Sequence, residues 1–166
     1  MRILCGLRTI LLCASLFSIH ALATPLATEP NQSESRLAGR KDCQFAPPVE
    51  WLDSTLFWEG QCQAGKAHGQ GVLRAYKKGA KTLLFFGNLV QGELSLGVID
   101  TSEGYIAGQF SHGKLVDDVE RNVIIGAFRS ASAAAKAYSQ RLKQEGNKKS
   151  AAFYLKKARE LEQQMD

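Results

Sequence analysis

Two segments of the sequence contain the glycine and lysine spacing of a phosphate-binding loop. Residues 60–67 read G-Q-C-Q-A-G-K-A, and residues 108–115 read G-Q-F-S-H-G-K-L. In such a loop a Ser or Thr follows the lysine to hold magnesium, and the loop joins a strand to a helix. Ala67 and Leu115 occupy the hydroxyl position here, and both segments lie in predicted hairpins. We therefore predict no bound nucleotide and no other cofactor.

Residues that could ligate a metal or catalyse a reaction are equally sparse. Beyond residue 23 the only histidines are His68 and His112, and each lies beside a glycine. The spacing places no second ligand or acid near either one, and motifs of the G-x-S-x-G or H-E-x-x-H type are absent. We predict no metal site, no catalytic residue and no enzymatic activity, and we interpret both histidines as turn or surface residues.

The first 23 residues have the pattern of a secretory signal peptide. Arg2 and Arg8 precede or flank the start of an apolar run over residues 9–17, and residues 21–23 read A-L-A, a small-x-small cleavage site. The apolar run is shorter than the ~20 residues that a membrane span needs. We therefore predict cleavage after Ala23 and a periplasmic or secreted protein.

Two of the four cysteines remain after that cleavage. Cys5 and Cys13 are removed with the signal peptide. Cys13 raises the alternative of a lipoprotein signal, but Leu12 stands where a small residue should precede a lipidated cysteine. Cys43 and Cys62 are then an isolated pair in an oxidising compartment, which favours a structural disulfide. A redox or metal site is disfavoured because the pair lacks C-x-x-C spacing.

The length and net charge of the remaining chain limit the number of domains and the kinds of partner to expect. Residues 24–166 suffice for one domain with a modest core. The formal net charge of +5 for the full sequence falls to +3 when Arg2 and Arg8 are removed. This charge is too small to indicate nucleic-acid binding, so we predict no nucleic-acid partner.

A glycine-containing phrase recurs between residues 58 and 115. Each copy has an aromatic or aliphatic residue, then a glycine, then a second glycine five residues on. The glycine pairs are Gly60 with Gly65, Gly87 with Gly92, and Gly108 with Gly113. Alternating residues between the turns predict hairpin strands over residues 56–62 with 67–76, 82–90 with 94–100, and 105–110 with 114–116. Glycine inside a strand suggests that a ring or a neighbouring backbone lies against it.

Residues 58–73, W-E-G-Q-C-Q-A-G-K-A-H-G-Q-G-V-L, resemble a MORN repeat, and Gly69 and Gly71 form its ending. The second copy keeps Phe85 and its two glycines, whereas the third has Ile106 at the aromatic position and stops early. The resemblance covers about a third of the chain. It implies stacked β-hairpins that act as interaction modules, many binding protein and some binding phospholipid, and it implies no catalytic residue.

The remaining C-terminal segment is predicted to be helical. Asp117 or Asp118 is expected to cap a helix start, residues 123–128 to pack on the sheet, and residues 130–144 to form a helix. A break at residues 146–147 precedes a second helix over residues 150–165. Its predicted buried face contains Ala151, Leu155, Ala158 and Leu161. Residues 138–161 also resemble a single tetratricopeptide-type helical hairpin.

Together these patterns predict a signal peptide (1–23), a flexible linker (24–42), a β-repeat domain (43–116) and a C-terminal helical segment (117–166). The predicted fold is mainly β, an antiparallel meander of hairpins closed by an α-helical hairpin. We expect a non-catalytic module that binds a protein partner, with peripheral binding of anionic lipid as the alternative. The expected interaction surface comprises Trp58, Tyr76, Phe85, Phe86, Tyr105, Lys148, Lys149, Lys156 and Lys157.

Overall fold

The structure, a computed structural model, describes residues 37–166. The predicted signal peptide and the first part of the predicted linker lie outside the described residues. The strands are β1 (Ala38–Arg40), β2 (Cys43–Phe45), β3 (Thr55–Gln63), β4 (Lys66–Lys77), β5 (Ala80–Val90), β6 (Glu93–Thr101), β7 (Gly104–Ser111) and β8 (Lys114–Leu115). The helices are α1 (Arg121–Gln144) and α2 (Lys148–Glu162), and short 3-10 turns span Val49–Trp51 and Gln163–Met165. The predicted class, mainly β with a C-terminal helical hairpin, is confirmed.

The strands follow one another as hairpins. From β3 to β8, each strand pairs antiparallel with the next along the chain. The β1–β2 pair joins the sheet through a parallel pairing of Gln44 with Lys66. Among the described strands β3 pairs only with β4. The long strand β3 therefore forms an edge of the sheet.

The sheet begins earlier than the sequence predicts. Residues 38–40 belong to the predicted linker, yet they form β1 and pair with β2. The ring of Phe45 is fully buried and lies against Gly39, where a Cβ atom would be 2.9 Å from Phe45 Cε1. The end of the predicted linker is therefore wrong, because a three-residue strand is too short to show a hydrophobic period.

The sheet buries residues on both faces, because successive strand side chains point to opposite sides. One face packs against the helices through Val72, Leu84, Phe86 and Val98. The other face packs Leu73, Phe85, Leu89 and Ile99 with Phe45 and Trp51. Two hydrophobic clusters result, one between the sheet and the helices and one under the N-terminal strands.

A row of glycines crosses the middle of the sheet. Gly60, Gly71, Gly87, Gly97 and Gly108 are register partners on the five consecutive strands β3 to β7. The rings of Trp58 and Phe85 lie over this row, where added Cβ atoms would overlap them. The expectation that rings or backbone lie against the repeat glycines is confirmed at these positions. In the first two repeats the aromatic residue, Trp58 or Phe85, thus packs on the glycine two residues ahead and on the partner of that glycine in the next strand, whereas Gly108 lies against the aliphatic side chain of Leu115.

One long helix follows the sheet. α1 begins at Arg121, and its N-cap Glu120 makes no side-chain capping bond, so the predicted capping by Asp117 or Asp118 is wrong. Residues 123–128 lie within α1, where Ala127 and Phe128 pack against the sheet. Within residues 37–166, neither helix is both long enough and apolar enough to cross a membrane.

The break between the helices is confirmed. Gly146 adopts a φ of 82°, which favours glycine, and Asn147 Oδ1 accepts a 3.2 Å hydrogen bond from Ser150 N. The predicted buried face of α2 is wrong in one position: Leu155 is 38% exposed, whereas Tyr154 is 6% exposed. Tyr154 faces the sheet, where its ring packs edge-to-face on Phe86 and at a tilt against Tyr138.

Candidate functional site

A groove lies beside the edge strand β3. Its volume is about 610 Å³. One wall is formed by β3 from Leu56 to Gly60, and the other side is contributed by β1 and β2, with Arg40 at the rim. Arg141 and Glu145 of α1 close one end. A groove of this volume falls in the range of pockets that bind small molecules.

A disulfide holds the two sides of the groove together. Cys43 of β2 is bonded to Cys62 of β3, with their Cα atoms 5.4 Å apart, and both residues line the cavity. The predicted pairing is present in the structure. The bond fixes β2, and with it β1, against the edge strand.

Aromatic side chains shape the wall on β3. Trp58 donates a hydrogen bond from Nε1 to the carbonyl oxygen of Gln61 at 2.9 Å, which fixes its ring above Gly60 and Gly71. The neighbouring Phe57 points to the opposite side of the strand and is 47% exposed. β3 therefore presents an apolar ring on each side of its free edge.

An ion cluster lies at the α1 end of the groove. Glu59 pairs with Arg74 through one carboxylate oxygen and with Arg141, at 2.8 Å, through the other. Arg74 also donates to the Tyr76 hydroxyl at 2.9 Å and lies 5.5 Å from the ring centroid of Phe57. Burial alone would lower the pKa of Arg74, but the Glu59 carboxylate, together with Tyr138 and Tyr76, raises that pKa above its usual value. The cluster stays charged and ties β3 and β4 to α1.

Comparison with protein-family models, curated proteins and solved structures gives no match. The groove and the clusters around it are therefore interpreted from their own geometry. The resemblance of residues 58–73 to a MORN repeat stays a prediction.

The predicted aromatic surface is largely buried. Phe85 and Phe86 have no exposed area, so their assignment to an interaction surface is wrong. They occupy opposite faces of β5, and each face is covered, one by α1 and α2 and the other by β2 and Trp51. Trp58, Tyr76 and Tyr105 are partly buried. Phe57, absent from the predicted set, is the exposed aromatic of β3.

The four predicted lysines do not form one surface. Lys148, Lys149 and Lys156 are exposed. Lys157 instead turns toward the sheet, where its Nζ lies 2.8 Å from Asp100 Oδ2 and 3.2 Å from Glu160 Oε2. Lys157 is therefore a structural ion-pair residue.

Neither histidine is placed with a metal-binding group. The backbone N–H of Gln91 donates to His68 Nδ1 at 3.5 Å, and His112 Nδ1 lies 3.0 Å from Ser111 Oγ. In residues 37–166 no group of three or more His, Cys, Asp or Glu side chains could hold a metal ion.

Changing Lys157 to Gln is expected to lower the free energy of unfolding by about 2 kcal/mol at pH 7, since it leaves the half-buried Asp100 unpaired. Burial lowers the pKa of Lys157, but Asp100 and Glu160 raise it above its usual value. The contribution is thus fully present below about pH 10 and is lost as the pH rises through the folded-state pKa. Urea unfolding at pH 7 and at alkaline pH measures both effects.

The matched control is Lys156 to Gln. Lys156 has a side chain 78% exposed and approaches Glu160 only at 3.5 Å, so its loss should cost less than about 0.5 kcal/mol. An equal decrease in the free energy of unfolding for the two variants would contradict a stabilising ion pair between Lys157 and Asp100.

Proposed function

We propose that this chain is a non-catalytic binding module that takes an extended segment of a partner protein along the edge strand β3. The supporting observation is the outer edge of β3, which is nine residues long, pairs with no strand within residues 37–166 and is bordered by the 610 Å³ groove. An unpaired edge offers a row of N–H and C=O groups to which another extended chain can pair. The bulge between Gly60 and Gln61 limits regular pairing to residues 55–60.

The lining of the groove indicates the character of the bound segment. Two basic residues, Arg40 and Arg141, and two acidic residues, Glu59 and Glu145, lie around it, so it has no strong charge preference. Leu56 and Trp58 on one side of β3 and Phe57 on the other provide apolar contacts. We expect a segment of low net charge whose apolar side chains alternate along the strand.

Photo-crosslinking in intact native cells tests this proposal. A photoreactive side chain at Arg40, which is 77% exposed and lines the groove, should give one reproducible protein adduct. Changing Phe57 to Asp should reduce that adduct about tenfold, because a charge on the edge opposes pairing with a segment of low charge.

The matched control is Phe153 to Asp. Phe153 is 37% exposed on α2, outside the groove, so its change should leave the Arg40 adduct intact. Absence of a protein adduct from Arg40, or equal loss with both Asp variants, would overturn the proposal.

Binding of anionic lipid is a second candidate, and the exposed residues of α2 favour it. Phe153 and Leu155 are exposed on this helix, as are Lys148, Lys149, Lys156 and Arg159. Apolar side chains accompanied by basic residues are the composition of helices that lie on an anionic membrane surface. Vesicle binding that falls steeply with salt, and that is lost when the three exposed lysines become Gln, would support this candidate.

A further inference from the structure

A second cavity lies between β4 and the two helices, away from the β3 groove. Its volume is about 450 Å³, which is sufficient for a small organic molecule. The side chains important here are Arg74, Tyr76, Tyr138, Lys149, Ser150 and Tyr154. The binding proposed along β3 does not involve this cavity.

The electrostatic character of the cavity is positive. Arg74 and Lys149 line it, and no acidic side chain does. Lys149 makes no ion pair within residues 37–166. Glu59 lies behind Arg74 but is shared with Arg141, and Glu145 reaches Arg141 only at 3.8 Å with a side chain 57% exposed. A negative group entering the cavity would therefore meet the Lys149 ammonium, which has no ion-pair partner within residues 37–166, beside the paired Arg74.

Tyr154 supplies a hydroxyl donor to the cavity. Its side chain is only 6% exposed and lines the cavity, and its hydroxyl makes no hydrogen bond to any described residue. The hydroxyl oxygen is not one of the fully buried atoms without a partner, so it is open to the cavity, where a ligand can accept its hydrogen bond. Burial, and then the neighbouring Tyr138, raise the pKa of Tyr154, so the hydroxyl stays protonated and able to donate.

The first turn of α2 completes the lining. Ser150 N is already engaged by Asn147, while the Ser150 hydroxyl and the Lys149 ammonium remain available. The positive end of the helix adds to the attraction of an anion. Rings of Tyr76 and Phe153 form the apolar part of the same cavity.

We infer that this cavity binds a phosphate monoester, with its phosphate at Lys149, Ser150 and the Tyr154 hydroxyl and its organic group against Tyr76 and Phe153. A phosphate accepts several hydrogen bonds at once and gains from ammonium and hydroxyl donors together. An uncharged molecule of the same shape would leave the lysine and the tyrosine hydroxyl without partners. The charge and the donors therefore select the ligand class.

Calorimetric titration with phenyl phosphate tests the inference. Saturable one-to-one binding is expected, and benzyl alcohol should not bind. Lys149 to Gln and Tyr154 to Phe should each weaken binding about tenfold, since each removes one strong hydrogen bond. Tyr154 to Phe keeps the ring and so tests the hydroxyl alone.

Lys148 to Gln provides the matched control. Lys148 is adjacent, exposed and equally charged, but it does not line the cavity, so its change should weaken binding less than about twofold. Absence of saturable binding by the folded protein, or equal weakening by the two lysine variants, would overturn the inference.

Such a phosphate could belong to a lipid headgroup or to a soluble molecule, and vesicles containing phosphatidic acid distinguish these two sources. If phenyl phosphate displaces the protein from these vesicles, the site accepts a lipid headgroup; if the protein binds phenyl phosphate but not vesicles, the ligand is soluble. Arg40 to Gln, which changes a residue lining the β3 groove but not this cavity, should leave both results unchanged, which separates failure of this site from failure of the β3 groove.

Discussion

Replacing Gly97 with alanine is expected to lower the free energy of unfolding by about 3 kcal/mol. A Cβ atom at this position would overlap the carbonyl oxygen of Phe86 and lie 2.7 Å from Phe85 Cζ. The oxygen is fixed by strand pairing between β5 and β6. The Phe85 ring has no exposed area and packs edge-to-face on Phe110 at 5.7 Å, so neither neighbour can retreat without disturbing the core.

Gly65 to Ala is the control for this prediction. Gly65 has a φ of 77° with no atom within 4 Å of its added Cβ, so alanine there costs only the strain of a left-handed backbone, about 1 kcal/mol. Urea unfolding of the two variants measures the difference. A Gly97 variant no less stable than the Gly65 variant would show that the glycine row is not needed for close packing of Phe85.

Much of the sheet could be predicted from the sequence because its signals are local. The glycine turns and the alternation between them define the hairpins, and the spacing of aromatic residue and glycine predicts that rings lie on the glycines. Gly97 is not among the predicted repeat glycines because residues 96–98, L-G-V, replace the ending that Gly69 and Gly71 form in the first copy. Only the strand register reveals that it continues the row from Gly87 to Gly108.

The groove could not be predicted, because it depends on contacts between distant parts of the chain. Phe57 and Trp58 are adjacent in sequence, and only the disposition of β2 and α1 shows which ring is covered and which is exposed. The same applies to Phe85 and Phe86, whose burial depends on two different covering layers. Glu59 and Arg141, 82 residues apart, give no sequence signal that they meet.

Reduction of the disulfide is expected to lower the free energy of unfolding by about 3 kcal/mol. The bond closes a loop with a sequence separation of 19 residues, and in the chain-entropy model a loop of this length restricts the unfolded chain by that amount. Urea unfolding with and without reductant measures the change. The double variant Cys43 to Ala with Cys62 to Ser should unfold like the reduced protein, with or without reductant.

Reduction of the disulfide should increase the mobility of the strands β1 and β2 beside the groove more than that of the rest of the sheet. β2 pairs with β4 at a single residue pair, and the Phe45 side chain lies in the core. The disulfide is the direct bond between β2 and the edge strand β3. Hydrogen exchange of the reduced protein should therefore increase first in residues 38–45, while β5 and β6 stay protected. Uniform loss of protection across the sheet would instead mean that the disulfide stabilises the whole fold, and that the groove has no separate dependence on it.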